Sequence, residues 1–171
     1  LKISNDLNSK TMAFLTIGYL IQTLINKGEI ERAQQNLHDF EQLYNQLNDK
    51  DLKVSYLLVK ALVLKTSSRA IKRGKAEEIL KQLLENENLF FEESLRILLN
   101  LCELLLTELR MTNDLEVLEE INLLIARLLD IAEKFHSYSI QCETFLIQAK
   151  LSLLTFDIKK AQRFLTQAQQ I

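Results

Sequence analysis

Glu29–Leu37, with the sequence EIERAQQNL, recurs near the end of the chain at Asp157–Leu165 as DIKKAQRFL. Both segments place an isoleucine, two charged residues, an alanine, a glutamine and a later leucine at the same positions. Ala76 follows Ala33 by 43 residues, and Ala161 follows Ala76 by 85, which is about two such periods. A fixed period in the range of about 20 to 50 residues predicts a stacked-repeat architecture, and such folds mostly serve as binding surfaces.

The composition favours helix throughout the chain and excludes several classes of protein. Apolar residues make up 47% of the 171 residues and charged residues 26%, which is typical of a folded globular protein. The chain has no proline and only three glycines, so a fold that needs many tight turns is disfavoured. The net charge of −2 provides no overall field for nucleic acid, and no apolar stretch reaches the ~20 residues of a membrane span.

Cysteine usage and the N-terminus bear on cellular context. Cys102 and Cys142 form no CxxC motif, and both lie in apolar helical patterns, which indicates reduced core thiols in a cytoplasmic protein. No signal peptide is visible, and the sequence begins with leucine. We therefore expect a cytoplasmic domain that is a fragment of a longer chain.

Hydrophobic periodicity predicts eight helices arranged as four antiparallel hairpins in a single domain over residues 1–171. The predicted hairpins cover residues 5–47, 52–86, 89–135 and 138–170, and Gly28 is suited to a left-handed helix cap in the first. Eight antiparallel helices are compatible with a closed bundle or with an open solenoid. The recurring alanine favours the solenoid, because each hairpin then packs on the next through the same close helix contact.

The last hairpin resembles the tetratricopeptide repeat. Its first helix carries an aromatic residue, Phe145, and then a small one, Ala149, while Phe156 lies near the turn. Its second helix has the family's small–large–small pattern at Ala161, Leu165 and Ala168. The earlier hairpins retain parts of the pattern at Gly28, Ala33, Leu37, Ala76 and Leu80.

The resemblance implies a right-handed α-α superhelix of four helix pairs, with a concave groove lined by the first helix of each pair. The period exceeds the family's usual length, as in the long repeats of some ATP-dependent transcriptional activators and of kinesin light chains. Placing the family pattern on the first helices implies that the peptide-binding groove is lined by Gln22, Asn26, Lys65, Arg69 and Lys150.

One run of basic residues contains no acid. Its six cations are Lys60, Lys65, Arg69, Lys72, Arg73 and Lys75. A solvated turn is the simplest interpretation. The functional alternative is a basic patch for an acidic peptide, a carboxylate or a phosphate. Nucleic acid is the least favoured alternative, because aromatic residues are absent from the run and the rest of the chain is acidic.

The sequence contains no recognisable catalytic constellation. Glu133 and His136 have the spacing of a di-iron motif, but the only other histidine, His38, has Gln35 at the corresponding position. No phosphate-binding or nucleophile motif is present. We therefore predict a non-enzyme that needs neither a metal nor a cofactor.

Three hypotheses about function follow. The first is a protein–protein interaction scaffold that binds a peptide or helix in its groove. The second is a regulatory or ligand-sensing domain of a larger signalling or transcription protein. The third is an enzyme, for which metal dependence is the most plausible form. The last helix spreads apolar residues around its circumference (Ile158, Phe164, Leu165 and Ala168), so we also expect further repeats or a weak homodimer through this helix.

Overall fold

The computed structural model describes residues 2–86 and 89–171, with side chains from Ser9 onward. All regular secondary structure in these residues is α-helical, which confirms the predicted all-α class. The eight helices are α1 (Lys2–Asn26), α2 (Ile30–Leu47), α3 (Lys53–Lys65), α4 (Ala70–Leu84), α5 (Phe91–Thr112), α6 (Leu115–Lys134), α7 (Tyr138–Leu154) and α8 (Ile158–Gln169). They match the predicted helices to within a few residues at each end.

The chain divides into two compact units. Unit 1 comprises Leu1–Asn88 and contains α1–α4, and unit 2 comprises Leu89–Ile171 and contains α5–α8. The division falls between the second and third predicted hairpins, and Glu87 and Asn88 lie outside the described part. That residues 1–171 form a single domain stays a prediction.

The two units use the same order of helix contacts. In unit 1, α1 contacts α2 and α3, α2 contacts α3, and α3 contacts α4. In unit 2, α5 contacts α6 and α7, α6 contacts α7, and α7 contacts α8. Within the described residues, the first and last helices of a unit do not touch. A closed four-helix bundle would bring those two helices together, so each unit is an open pair of hairpins.

Three helices end in the same left-handed turn, although only one of the three turn residues is glycine. Gly28 has a φ of 78°, which confirms its predicted role, while His136 and Phe156 have φ values of 47° and 60°. In each case the next residue donates its N–H to a carbonyl five residues back, at 2.8–2.9 Å. This Schellman arrangement satisfies carbonyls that the helix end would leave unpaired. The chain therefore makes sharp turns with few glycines and no proline.

Two stacked ring pairs lie in unit 1, in and around a core of buried aliphatic side chains. Phe14 stacks on Phe40 at a centroid distance of 4.2 Å, and Tyr44 stacks on Tyr56 at 4.2 Å. These rings draw on α1, α2 and α3, so the stack joins the first hairpin to the second. Stacked ring pairs add roughly 0.5–1.5 kcal/mol each beyond their burial.

The interior of unit 2 is aliphatic. Its fully buried large side chains come mainly from α5 and α6 and are Ile97, Leu98, Leu101, Leu105, Ile121 and Leu128. Burying a leucine or isoleucine side chain stabilises a fold by about 1.5–3 kcal/mol. Unit 2 thus relies mainly on aliphatic burial, and its stacked ring pair, Phe145 and Phe164, has a centroid distance of 6.2 Å.

None of the helices in the described residues has both the length and the apolar character required to cross a lipid bilayer.

Candidate functional site: the cationic end of unit 1

The helix order brings three of the predicted groove residues to one end of unit 1. The chain reverses direction between α1 and α2 and again between α2 and α3, so α1 and α3 run parallel. Their C-terminal ends therefore lie at the same end of the unit. Gln22 and Asn26 are in the last turns of α1, and Lys65 is the last residue of α3. Gln22 and Lys65 are half-buried and have interaction partners within the chain, whereas Asn26 is exposed.

The connection from α3 to α4 is held by short-range hydrogen bonds. The hydroxyl of Thr66 donates to the carbonyl of Val63 at 2.8 Å, and the backbone N–H of Arg69 donates to the hydroxyl of Ser67 at 3.2 Å. The guanidinium of Arg73 donates to the carbonyls of Ser67 and Ser68 at 3.0 and 2.7 Å. Arg73 therefore has two roles: it fixes the shape of the connection, and it contributes a positive charge there.

Three cations of the predicted basic patch are exposed at this connection and in the first turns of α4. They are Arg69, Lys72 and Lys75, which we call the cationic surface. None of the three makes an ion pair with another residue in the described part of the chain. Ile71 lies between them and is 78% exposed. The surface thus combines unpaired positive charge with one apolar contact point.

Lys60, in contrast, belongs to the contact between α2 and α3. Its ammonium lies 2.9 Å from Oε1 of Glu41 and donates to the hydroxyl of Tyr56 at 3.0 Å. The hydroxyl of Tyr56 in turn donates to Oε1 of Glu41 at 3.0 Å. The Lys60 ammonium also lies 5.4 Å from the centroid of the Tyr56 ring, within the range of a cation–π contact. We call these three residues the polar triad.

The pKa values of all three members of the polar triad depart from their ordinary values. Burial raises the pKa of the Glu41 carboxyl, but hydrogen bonds from Lys60 and Tyr56 and the charge of Lys60 outweigh it, so the pKa lies below its ordinary value. The hydrogen bond to Glu41, followed by that to Tyr56, raises the pKa of Lys60. Burial, as the largest cause, raises the pKa of Tyr56. The triad therefore holds the charged forms of Glu41 and Lys60 together at neutral pH.

Lys150, the fifth predicted groove residue, lies in α7 of unit 2. Its ammonium is 4.0 Å from Oε1 of Glu103 on α5, and both side chains are exposed. This pair spans the two first helices of unit 2. These helices correspond in order to α1 and α3 of unit 1, on which Gln22 and Lys65 lie.

The predicted repeat-packing residues fall into two groups. Five are almost fully buried, namely Ala33, Ala76, Leu80, Ala149 and Ala161. Leu37 and Ala168 are half-buried, Leu165 is 42% exposed, and Gly28 is an exposed turn residue. The alanines related by the sequence period are thus almost fully buried, while the positions towards the end of α8 are partly uncovered. That these alanines mark a recurring close helix contact stays a prediction.

Gly18 is a close-contact residue that the sequence reasoning missed. A Cβ at Gly18 would lie 3.3 Å from Cε2 of Phe40 on α2 and 3.7 Å from Cγ2 of Val59 on α3. Three helices therefore meet at this residue. Ala61, which is also fully buried, follows Gly18 by 43 residues, so the same period that relates Ala33 to Ala76 could have identified the site.

Two cavities are lined by described residues of unit 2. The larger, about 360 Å³, lies at the turn between α6 and α7 and is lined by Glu133, His136 and Tyr138 among others. The smaller, about 210 Å³, lies between α6, α7 and α8. A grouping of three or more histidine, cysteine, aspartate or glutamate side chains that could hold a metal ion does not occur in residues 9–86 and 89–171.

The two cysteines have different surroundings. Burial, together with Glu103 and Glu120, raises the pKa of Cys102 to about 12, so its thiol stays protonated at neutral pH. The half-buried thiol of Cys142 donates to the carbonyl of Ala168 at 3.5 Å, which links α7 to the end of α8.

In comparison with known proteins, the chain matches no family model, no curated protein and no solved structure.

Proposed function

We propose that this chain is a non-catalytic interaction module of the tetratricopeptide-like type, which binds an acidic peptide segment through its first helices. The observation that carries the proposal is the order of helix contacts. In both units the first helix of one hairpin contacts the first helix of the next, as in a right-handed superhelix of helix pairs. Such an order leaves one side of the paired first helices uncovered by the second helices. We propose that this side forms the binding groove.

The charge distribution indicates an acidic ligand. Residues 1–88 contain thirteen Lys and Arg and eleven Asp and Glu, whereas residues 89–171 contain eight and twelve. The excess of positive charge in unit 1 includes the exposed Arg69, Lys72 and Lys75. Charge-assisted hydrogen bonds to carboxylates are about twice as strong as neutral ones, and a cationic surface also accelerates encounter with an anionic partner. We propose that Lys65 and Arg69 anchor the acidic residues of the segment, next to Asn26.

Selection from a displayed library of random peptides tests this proposal. The whole chain is the bait, and the selection is carried out at low and at physiological salt. We expect enrichment of peptides rich in aspartate and glutamate, with weaker capture at the higher salt because surface charges are screened. A selection that enriches no sequence, or that enriches basic peptides, would contradict the proposal.

A ligand-sensing regulatory domain is the second candidate, and the cavities of unit 2 are the observation that favours it. A ligand that binds only the folded protein raises its melting temperature, and the rise grows with the logarithm of the ratio of ligand concentration to dissociation constant. A thermal-shift screen of small molecules would detect such a ligand. Stabilisation by a small molecule but no selected peptide would favour this candidate over the interaction module.

A weak homodimer through the last helix is a further proposal, supported by the exposure of Ile158 and Leu165 on α8. Uncovered apolar side chains on a terminal repeat favour association. We expect a mass that rises with concentration in sedimentation equilibrium and that returns to the monomer mass in Ile158→Lys/Leu165→Lys. A concentration-independent mass of the wild type would remove the dimer.

A further inference from the structure

One face of α1 is exposed although it carries no charge. Residues 11–26 contain no Asp, Glu, Lys or Arg, and their exposed side includes Ala13, Thr16 and Leu20, which we call the head face. The hydroxyl of Thr16 already donates to the carbonyl of Met12 at 2.8 Å. Covering the head face would therefore bury no charge and would leave no hydroxyl without a partner, so it avoids the usual cost of burying polar groups.

The 43-residue period relates the head face to a buried face of α3. Thr16 and Leu20 precede Val59 and Val63 by 43 residues, the spacing of the recurring alanines in unit 1. Val59 and Val63 are each 3% exposed, and they belong to a core cluster whose other buried members come from α1 and α2. The second hairpin therefore packs on the first through these two positions, and the equivalent positions of α1 are exposed.

The same position is buried again in α7. Thr144 follows Val59 by 85 residues, the other spacing of the recurring alanines, and is fully buried. Its hydroxyl donates to the carbonyl of Ile140 at 2.7 Å, which repeats the bond made by Thr16. Both α3 and α7 contact the two helices that precede them in their own unit. The head face of α1 is thus the kind of surface that packs on a preceding hairpin.

The last hairpin presents the opposite half of such a contact. In unit 1, α3 approaches the first hairpin at Gly18, where a Cβ would lie 3.7 Å from Cγ2 of Val59. Leu146 on α7 follows Gly18 by 128 residues, the separation of the recurring alanines of the first and last hairpins. Leu146, Leu153 and Leu165, which we call the tail face, are 40–54% exposed. The tail face thus offers apolar side chains at and around the position on which a following hairpin would pack.

The sizes of the side chains on the two faces are complementary. Leu146 is larger than Gly18, which it replaces on the first of the two helices, and Ala13 is smaller than Tyr56, which it replaces on the helix that packs against them. A contact between the tail face and the head face therefore exchanges a large and a small residue relative to the contact in unit 1. Exchanges that conserve volume are the ones that packed interfaces tolerate best.

The charges of the two hairpins also favour their pairing. Residues 2–47 contain four Lys and Arg and five Asp and Glu, whereas residues 138–171 contain four and two. The first hairpin is therefore slightly negative and the last hairpin positive. Two last hairpins would repel each other, while a last hairpin and a first hairpin attract.

We propose that the tail face of one copy of this chain binds the head face of a second copy. The inference rests on the association through α8 proposed above, and it assigns the surface that α8 and α7 meet. Because the two faces differ, each pair of copies leaves one head face and one tail face uncovered. Association therefore continues beyond the dimer, either to a ring or to an open chain of copies.

Mixing two blocked variants of the whole chain tests the proposal. Thr16→Lys/Leu20→Lys blocks the head face, and Leu146→Lys/Leu165→Lys blocks the tail face with charges of the same sign, so that the two blocked faces repel each other. In sedimentation equilibrium we expect the mass of the wild type to rise with concentration beyond that of a dimer. Each variant alone should stay monomeric, and an equimolar mixture should reach twice the monomer mass and no more.

Two exposed leucines outside both faces provide the matched control. Leu115 and Leu123 lie on α6 and are 71% and 73% exposed, so Leu115→Lys/Leu123→Lys should associate as the wild type does. Circular dichroism checks that each variant is folded. Should a blocked variant not fold, Ala13→Lys or Leu153→Lys replaces it, because both of these side chains are exposed.

Three outcomes would overturn the proposal. Association of the head-blocked variant alone would show that last hairpins pair with each other. A mixture that stays monomeric would show that the two faces do not bind. A wild type that is monomeric at every concentration would remove the association through α8 as well and would leave both faces to a different protein. The acidic-peptide proposal is tested by peptide selection and would stand or fall separately.

Discussion

Units 1 and 2 have the same order of helix contacts but are filled and joined differently. In unit 1 the hairpins meet through stacked aromatic rings and the polar triad, while the fully buried large side chains of unit 2 are mostly leucine and isoleucine. In both units, however, an alanine of the recurring segment is almost fully buried, at Ala33 in one and Ala161 in the other. A buried alanine in the recurring segment is therefore common to both units, and the larger side chains of the interior differ.

Substitutions of the buried alanines that the two units share should have the largest effects on the free energy of unfolding. Ala33→Glu and Ala161→Glu each bury a charge without a partner at a close helix contact, and each should lower the free energy of unfolding by about 3–5 kcal/mol. Lys159→Glu, an exposed charge change on the same helix as Ala161, should cost well under about 1 kcal/mol. Urea unfolding followed by circular dichroism measures all three. An effect of Lys159→Glu as large as that of Ala161→Glu would contradict the packing described for unit 2.

A close contact particular to unit 1 should give the next largest effect. Phe40 is stacked on Phe14 and fully buried, so it has little room to move away from a side chain added at Gly18. Gly18→Val should therefore destabilise the protein by about 1–3 kcal/mol.

Gly74 provides the control for this substitution. It lies within α4, and a Cβ there would meet no atom within 4 Å. Gly74→Ala should stabilise the protein by about 0.5–1 kcal/mol, because alanine favours helix over glycine. If both substitutions raised the free energy of unfolding, the contact at Gly18 would not be tight.

Substitutions at two of the left-handed turns should change the free energy of unfolding in opposite directions. Phe156 occupies the left-handed position after α7 and is 88% exposed, so its removal loses little buried area. Phe156→Gly should stabilise the protein by about 1 kcal/mol, while Gly28→Ala, at the equivalent position after α1, should destabilise it by a similar amount. Thermal unfolding measures both. A destabilised Phe156→Gly would show that the ring has a contact that its exposure does not reveal.

A substitution in the polar triad should change the free energy of unfolding least, and this change should depend most on pH. Glu41→Gln should cost about 1 kcal/mol or less at neutral pH, because the pair is only half-buried. Since the pKa of Glu41 is lowered by folding, its contribution is present above its ordinary value of 4.5 and is lost as the pH falls through the folded value. Since the pKa of Lys60 is raised, its contribution is present below its ordinary value of 10.5 and is lost as the pH rises through the folded value.

Urea unfolding of the wild type and Glu41→Gln between about pH 3 and 11 measures this contribution. The difference between the two proteins should be greatest across the middle of the range and should shrink towards both ends. A difference that is constant with pH would mean that the triad contributes through packing and not through charge.

The helices and the recurring alanines could be predicted because they depend on local pattern. Apolar residues at a spacing of three and four define each helix face, and Gly28 marks its turn by its own backbone freedom. Phe156 adopts the same turn, but nothing about phenylalanine indicates a left-handed backbone, so this turn type could not be predicted from the residue itself.

The contacts between helices were harder to predict. Lys60 belonged to a basic run along the chain, yet its partner is Glu41, nineteen residues earlier on another helix. Such a pairing depends on the rotation of α2 against α3, which residue spacing alone does not determine. Residue spacing likewise did not reveal that Lys150, one of the five predicted groove residues, lies in a different unit from the other four.

The affinity of a selected acidic peptide for three forms of the chain tests the central claim most directly. Fluorescence anisotropy at physiological salt would compare the wild type with Lys65→Glu/Arg69→Glu and with Lys50→Glu/Lys53→Glu, which makes the same change in charge near the N-terminal end of α3. We predict that the first variant weakens binding at least tenfold, or about 1.4 kcal/mol, and that the second leaves it within about twofold. Equal affinities of the two variants would contradict a binding site at the cationic end of unit 1.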